Sequence, residues 1–245
     1  VATLGSGAGV AAIYYLNEHG LSYGQAFGLY MLQYAFHKFS IAVFSLLFFV
    51  VNWAYMTGHF GDYVSLLEAG YGLTVLITLG LVLFCCSAWF HRLLFRVCEF
   101  VNKKTKNRFA PMFYQLQDQC HMMEEASKHL LKNRLLIVET IGLNLLKLAF
   151  WYSIPFLIFG SDSGIALQEV LAITSLSVML AAVIPSPAGI GSTEFVFTSL
   201  FAGIVGTGAA GSASLLYRFG TFVFPFLVGA IVVLVRRIRK KQNNR

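Results

Sequence analysis

The 245-residue sequence has little charge: charged residues make up 12% of it, whereas soluble globular domains carry roughly a quarter. Hydrophobic residues make up 57% and mean hydropathy is +0.70, which excludes a water-soluble enzyme and an intrinsically disordered chain. Five prolines and four cysteines are too few for a collagen-like repeat or a disulfide-rich scaffold. The composition therefore predicts an all-α, polytopic integral membrane bundle, with residues 1–245 forming one transmembrane domain.

Four apolar segments are long enough to cross a bilayer as helices, at roughly 20 residues per crossing. They are residues 26–51, 67–90, 135–159 and 212–235. A fifth apolar region, residues 165–211, is interrupted by a run rich in proline and glycine. Two arrangements fit this region: two full crossings joined by a hairpin, or a pair of re-entrant half-helices that meet at the break.

The basic residues predict the orientation of the spans. Of the eighteen lysines and arginines, nine lie in the loop at residues 91–134 and six in the tail at residues 236–245, whereas the loops around residues 57–65 and 160–164 contain none. Because basic residues concentrate on the cytoplasmic side, we expect the long loop and the C-terminus to be cytoplasmic, in a plasma membrane. This bias also explains the net charge of +7. Nucleic acid is therefore not an expected partner, whereas the bilayer surface is.

The long basic loop contains the pattern of an amphipathic helix. Apolar and small residues recur there at spacings of three and four, namely Phe113, Leu116, Cys120, Met123, Ser127 and Leu130. We expect this helix to lie on the membrane or to pack on the cytoplasmic end of the bundle, in preference to binding a dedicated partner. The four cysteines show no CxxC spacing, so neither a metal site nor a disulfide is expected.

The other three basic residues, Lys38, Lys147 and Arg218, lie inside apolar segments. A charge at the bilayer centre costs about 2.5–3.5 kcal/mol even on mild insertion scales, so each needs an explanation. Helical spacing places both lysines in polar stripes that should face the protein interior or a wet cavity. One stripe contains Tyr34, Lys38 and Ser45, and the other contains Thr140, Asn144, Lys147 and Trp151.

The buried cations outnumber the buried anions, which are Glu139 and Glu194. One hypothesis is that the lysines pair with these glutamates or with carbonyl groups only to hold helices together. The other is that an unpaired cation binds a visiting anion, and in a membrane the abundant anion is a lipid phosphate. We therefore predict that Lys147, Asn144, Arg218 and Lys38 bind the substrate headgroup. Glu194 would balance an amine or an arginine.

Arg218 and Glu194 are predicted to form a pair. Each lies near a probable helix start, and neither has an opposite charge three or four residues away on its own helix. The alternative for Arg218 is to extend its side chain to the outer interface, because it lies six residues, roughly 9 Å, from the predicted start of its span.

The break in the fifth apolar region is a candidate structural motif, formed by Pro185, Pro187, Gly189 and Gly191. Proline lacks the backbone donor and glycine allows turns that other residues resist, so such backbone at membrane depth must be buried or line a cavity. A helix is predicted to restart with Ser192 as its N-cap and Glu194 in its first turn. Broken helices of this kind form the midplane sites of many transporters, although an ordinary cytoplasmic hairpin also fits.

Residues 184–194, Ile-Pro-Ser-Pro-Ala-Gly-Ile-Gly-Ser-Thr-Glu, resemble the Pro-x-Pro-Gly-Gly-Ile/Leu-Gly-x-x-Glu motif of the lysylphosphatidylglycerol synthetase membrane-domain family. Residues 7–26 are similar to that family's Gly-Gly, Tyr-x-Leu and Gly-hydrophobic-Ser segment, and Tyr217-Arg218 to its Tyr-Arg pair. The family includes the flippase half of the multiple peptide resistance factor. Ala188 stands where the family usually has glycine. The resemblance implies that further helices precede Val1, so we expect the chain to be truncated at its N-terminus.

The resemblance implies an aminoacyl-phosphatidylglycerol flippase-like domain, which translocates or binds anionic or aminoacylated phospholipid between leaflets without a cofactor. Two other functions stay open: an ion-coupled transporter of a small anion, and a non-transporting accessory subunit that presents a lipid-linked substrate to a transferase. A homo-oligomer or a partner transferase fits any of them. Enzymatic activity is left open. No catalytic residues are apparent on this chain, but a longer parent could carry a phosphatidylglycerol lysyltransferase domain.

Overall fold

The computed structural model describes residues 8–61, 64–87, 96, 110–160, 164–182, 184, 186 and 189–243. In these ranges the regular structure is helical and contains no strand, which confirms the all-α prediction. A π-helical turn, Phe219–Val223, joins the last two helices. In chain order the helices are α1 (Ala8–Glu18), α2 (Tyr23–Val51), α3 (Trp53–Phe60), α4 (Val64–Cys86), α5 (Ala110–Lys132), α6 (Arg134–Phe159), α7 (Leu167–Ala181), α8 (Ser192–Val205), α9 (Thr207–Arg218) and α10 (Phe224–Asn243).

Three helical segments are long and apolar enough to cross a membrane, and they correspond to three of the four predicted spans. They are α2, α6 and the continuous segment Thr207–Val235, which contains α9, the π-turn and the first part of α10. The remaining predicted span, residues 67–90, corresponds to α4, whose apolar part is the shorter stretch Glu68–Phe84. The apolar helices therefore lie where the long uncharged runs of the sequence placed them.

The fifth apolar region forms a pair of short helices, α7 and α8. They contain 15 and 14 residues, which gives about 22 and 21 Å at 1.5 Å per residue. The hydrocarbon core is about 30 Å thick. All twelve residues from Val170 to Ala181 are buried, because α7 packs against α2, α4, α6 and α8. Helices this short, one of them enclosed by the bundle, favour the re-entrant arrangement over two full crossings.

The connection between α7 and α8 contains the proline-glycine motif. Pro185 and Pro187 lie outside the described residues, while Gly189 and Gly191 have φ values of 67° and 84°, which glycine adopts without strain. The predicted N-cap at Ser192 is wrong by one residue. Gly191 is the N-cap, because its left-handed backbone turns the chain into α8, and Ser192 is already the first helical residue.

The core is built around α7 by aromatic side chains from the surrounding helices. Tyr152 of α6 meets Phe44 of α2 with 5.2 Å between ring centroids. On the other side, Phe197 of α8 stacks at 5.5 Å on Tyr217 of α9. All four rings are buried. These contacts hold α2, α6, α8 and α9 in fixed positions, and these four helices carry the charged residues of the candidate site.

The predicted amphipathic helix is α5, and it packs along α2. Its residues Cys120, Met123 and Ser127 are buried. A Cβ atom at Gly28 of α2 would lie 2.5 Å from Met123 Cγ and 3.1 Å from Met123 Cα. The two helices therefore approach closely because residue 28 has no side chain. Of the expected arrangements, the structure shows α5 packed on the bundle.

The bundle has two ends, the α3 end and the α5 end, each named after the helix that lies there. At the α3 end, Asn52 Nδ2 donates to the carbonyl of Gln168 at 3.3 Å, which ties the end of α2 to the start of α7. Phe159 and Phe201 have ring centroids 5.1 Å apart, so α6 and α8 end together there. A groove of about 540 Å³ lies between the ends of α6 and α8 and the start of α9.

Candidate functional site

The four charged residues predicted for the site lie at similar depths below the α3 end. Lys38 and Lys147 precede the C-terminal ends of α2 and α6 by roughly three to four helical turns. Glu194 lies roughly three turns before the C-terminal end of α8. Arg218 lies roughly three turns after the start of α9. With a rise of about 5.4 Å per turn, all four lie roughly 16–20 Å from that end. They form a charged layer close to the middle of a ~30 Å hydrocarbon core.

The first part of this layer is the cationic cluster, defined as His37 and Lys38 of α2 with Asn144 and Lys147 of α6. Lys147 Nζ donates to Asn144 Oδ1 at 3.0 Å and lies 3.4 Å from His37 Nδ1. Because an ammonium group can only donate, His37 accepts at Nδ1 and carries its ring proton on Nε2. A neutral imidazole thus bridges the two helices.

Lys147 is held in place from two further directions. Asn144 Nδ2 donates to the carbonyl of Thr140 at 3.0 Å, which turns the amide oxygen of Asn144 toward the lysine. The Trp151 ring centroid lies 5.3 Å from Lys147 Nζ, within the range of a cation–π contact. Two of the three N–H groups of Lys147 are directed at Asn144 and His37, and the third has no acceptor among the described residues.

Lys38 is more deeply buried than Lys147 and has fewer contacts. Its side chain is 8% exposed, and its ammonium group lies 5.6 Å from the Tyr34 ring centroid. In the described part of the chain neither lysine forms an ion pair with a carboxylate. Glu139, one of the predicted partners, is exposed and lies about 12 Å from Lys147 along α6. The cluster thus contains one buried cation, Lys38, one half-buried cation, Lys147, and no described counter-charge.

The second part of the layer is the Glu194–Arg218 pair, which joins α8 to α9. Arg218 Nε lies 3.1 Å from Glu194 Oε1, and the two side chains are 12% and 23% exposed. Glu194 Oε2 also accepts from the backbone N–H of Gly191 at 2.8 Å, so one carboxylate caps α8 and balances Arg218. The Phe222 ring lies 4.8 Å from Arg218 Cζ. The predicted pairing is confirmed, and it replaces the alternative in which Arg218 extends to the interface.

A groove of about 450 Å³ leads from this pair toward the α3 end. It is lined by Glu194, Phe195, Thr198, Ser199 and Ala202 of α8 and by Thr207 of α9. Three of these six residues carry hydroxyl groups, and the apolar ring of Phe195 is exposed beside them. The hydroxyl of Ser199 donates to the Phe195 carbonyl at 2.8 Å, within its own helix.

The π-turn at Phe219–Val223 directly follows Arg218, and the sequence alone does not predict it. The residues of the turn are apolar or small, like those of the helices around it, so their composition does not distinguish a π-helical turn from an α-helix. Turns of this kind often occur at functional sites. The turn approaches α6, where a Cβ at Gly220 would lie 3.7 Å from Ile154 Cδ1. Beyond it, α10 packs extensively against none of the other described helices, and its apolar side chains are exposed.

The structure divides the predicted site into two sets. It brings Asn144 and Lys147 together, with Lys38 next to their partner His37 in the chain, and it places Glu194 with Arg218 on other helices. His37 belongs to the first set and was missed. Its position next to Lys38 inside an apolar run was the signal that could have identified it. In the ranges described, no three His, Cys, Asp or Glu side chains are grouped as metal ligands.

A comparison with protein families gives a match over most of the chain. The family model described as the lysylphosphatidylglycerol synthase TM region matches residues 4–229, which is most of the chain. The match confirms the resemblance based on the proline-glycine motif. Comparisons with curated proteins and with solved structures gave no match.

Proposed function

We propose that this chain, which belongs to the lysylphosphatidylglycerol synthase TM region family, binds phospholipid headgroups in its charged layer and moves them between leaflets. The observation that supports this most is the pair of mid-depth lysines, Lys38 and Lys147, without a carboxylate partner among the described residues. A buried cation without a counter-charge is costly in hydrocarbon. A headgroup phosphate arriving from the bilayer supplies the missing charge.

The side chains of the cluster suit a phosphate oxygen. Lys147 is oriented by Asn144 and keeps a free donor, and the stem of Lys38 is fixed by burial. Hydrogen bonds between an ammonium group and a phosphate are among the stronger ones in proteins. The contact between Glu194 and Arg218 reduces the role of Arg218 in holding phosphate, because its charge is already balanced. Glu194 remains the carboxylate that an amine of an aminoacylated headgroup would meet.

The exposed face of α10 favours a lipid over a small soluble anion. α10 makes little contact with the described helices beyond the π-turn, and its apolar side chains are exposed. A lipid whose acyl chains lie along this face can bring its headgroup to the level of Arg218. The hydroxyl-lined groove beside Glu194 then provides a polar path toward the α3 end. A headgroup needs such a path because the hydrocarbon core is about 30 Å thick.

Reconstitution in liposomes tests the proposal directly. We expect the purified chain to speed the leaflet exchange of headgroup-labelled phosphatidylglycerol relative to protein-free liposomes. The matched arm measures entry of radiolabelled phosphate and sulfate into the same liposomes. Anion entry without lipid exchange would assign the chain to small-anion transport. If neither lipid nor anion moves, the accessory role is favoured and the proposal is wrong.

The orientation in the membrane is also part of the proposal: the α5 end and the C-terminal tail face the cytoplasm. Cys120 is buried against α2, so it is a poor reporter. In a Cys98→Ala background, we expect His59→Cys at the α3 end to react with an impermeant thiol reagent in intact cells. Glu125→Cys, which replaces a side chain that is 71% exposed on α5, should react only after permeabilisation. The reverse labelling pattern would invert the orientation.

A further inference from the structure

His37 is the member of the cationic cluster that the sequence did not predict. Its side chain is buried, with 8% of the residue exposed, and its Nδ1 atom lies 3.4 Å from Lys147 Nζ. We infer that His37 is a positioning residue, which holds the Lys147 ammonium group across the interface of α2 and α6 without cancelling its charge. This role rests on the proposed function, because it explains how the same site keeps a cation available to a headgroup phosphate.

The contacts of Lys147 come from two helices. Asn144 and Trp151 lie on α6, the helix of Lys147 itself, so they move together with it. His37 lies on α2, and among the described residues it makes the only hydrogen-bond contact between Lys147 and another helix. A lysine side chain is a point charge on a flexible stem, so such a contact selects one of its many conformations. His37 therefore fixes where the positive charge lies in the bundle.

The acceptor that His37 provides is neutral. An ammonium group only donates hydrogen bonds, so His37 accepts at Nδ1 and carries its ring proton on Nε2. A carboxylate at this position would also hold Lys147, but it would cancel the positive charge. Glu194 and Arg218 show that second arrangement at a similar depth, with 3.1 Å between the charged groups. The neutral ring thus positions the cation and leaves its charge for an anion.

Lys147 is accessible from the lipid side of the bundle, whereas His37 is buried. Lys147 is half-buried, and the side chains of Leu143, Leu146 and Phe150 around it on α6 are each more than half exposed. In a membrane such apolar side chains contact acyl chains, so Lys147 lies beside a lipid-facing surface. A phosphate oxygen at this surface can accept from the third N–H of Lys147, while His37 holds the ammonium group from the buried side.

Three substitutions of His37 separate the effect of position from that of charge, in liposomes with headgroup-labelled phosphatidylglycerol. His37→Asn keeps a neutral acceptor close to the place of Nδ1, so lipid transfer should stay within about threefold of the wild-type rate. His37→Leu removes the acceptor, and transfer should fall at least about tenfold, because a hydrogen bond to a charged group is lost. His37→Asp keeps an acceptor but cancels the charge of Lys147, so transfer should also fall at least about tenfold.

The same substitutions in a Lys147→Met background show whether His37 acts through Lys147. A positioning residue has no effect once the group it positions is gone, so His37→Leu should not lower transfer further in that background. His37→Asp should melt at a lower temperature there than in the wild-type background, because its carboxylate has lost its partner. The control is the exposed His59 on α3, whose Nδ1 lies 3.1 Å from the Tyr55 carbonyl oxygen. His59→Leu and His59→Asp should leave transfer unchanged.

Failure of this role and failure of the proposed function give different results. Wild-type transfer by His37→Leu, or additive losses from His37→Leu and Lys147→Met, would overturn the positioning role. Equal transfer by His37→Asp and His37→Asn would show that the acceptor need not be neutral and would overturn it too. If His37→Asp does not fold, Asn144→Asp places a carboxylate where Asn144 Oδ1 accepts from Lys147 and serves in its place. Absence of lipid exchange by the wild-type chain would instead reject the proposed function itself.

Discussion

The cationic cluster and the Glu194–Arg218 pair lie at about the same depth but have opposite electrostatic character. In the pair, an arginine meets a carboxylate at 3.1 Å, and the carboxylate also caps a helix. In the cluster, Lys147 contacts a histidine and an asparagine, Lys38 lies beside the Tyr34 ring, and neither lysine pairs with a described carboxylate. A charge that has a partner of opposite sign stabilises the fold. A charge without such a partner does not stabilise the fold and is available to bind a ligand.

This comparison predicts opposite responses to neutralisation. Removing one member of a buried pair leaves an uncompensated charge behind, which typically costs about 3–5 kcal/mol. Removing a buried charge that has no partner relieves a cost instead. Loss of stability should therefore follow substitutions in the pair, and loss of ligand binding without loss of stability should follow substitutions in the cluster.

The largest expected effect is on the Glu194–Arg218 pair. Glu194→Gln and Arg218→Gln should each lower the free energy of unfolding by about 3–5 kcal/mol, or roughly 6–20 °C in Tm for a chain of this size. The double variant should recover most of that loss, because no charge is left unpaired, but it should not recover lipid transfer. Melting temperatures of the purified variants give the double-mutant cycle.

Glu169 provides the control for this cycle. Like Glu194, it lies in the first turn of a short apolar helix and accepts from the N-cap backbone, here the Ala166 N–H at 2.9 Å. Glutamine can still accept at that position, so Glu169→Gln should change stability by less than about 1 kcal/mol. Strictly additive losses at Glu194 and Arg218, or an equal loss at Glu169, would show that the charge pair is not the source of the effect.

A smaller effect is expected at Gly28, where α5 meets the helix that carries half of the cationic cluster. Gly28→Ala would place a methyl group 2.5 Å from Met123 Cγ, and overpacking of this kind costs about 1–3 kcal/mol. Gly142→Ala on α6 is the control, because no atom lies within 4 Å of its Cβ position. It should be neutral or stabilising by up to about 1 kcal/mol. Similar melting temperatures for both variants would contradict the close contact between α2 and α5.

The smallest effect on stability is expected at Lys147. There the effect on lipid transfer should be large while the effect on melting temperature is small. Lys147→Met keeps the apolar stem and removes the charge, so the melting temperature should stay the same or rise slightly. Lipid transfer in liposomes should fall at least about tenfold, equivalent to 1.4 kcal/mol, because the phosphate loses an oriented donor. Lys128→Met, at an exposed position beside Glu124 on α5, should leave transfer unchanged. A Lys147→Met protein that melts lower yet transfers lipid normally would make this residue a structural partner.

Much of the fold could be predicted from the sequence because a hydrophobic run predicts a helix whatever the rest of the chain does. A long uncharged run has few alternatives to a helix in lipid, so α2, α4, α6 and the α9–α10 segment lie close to their predicted positions. The Glu194–Arg218 pair was also predictable, because each residue lacked a partner on its own helix and the chain offered few other charges at that depth. The sequence predicts Ser192 as the N-cap because serine is a common cap, but the positive φ of Gly191 makes Gly191 the N-cap.

The sequence alone determined which residues enter the membrane and which of them carry charge, because the cost of placing a charge in hydrocarbon depends on residue type and depth. Only the tertiary structure decided how those charges are partnered. It paired Arg218 with Glu194, placed His37 against Lys147, and enclosed α7 among its neighbouring helices. Such contacts join residues more than a hundred positions apart, as His37 and Lys147 show. They depend on how whole helices pack against each other, which no local pattern records.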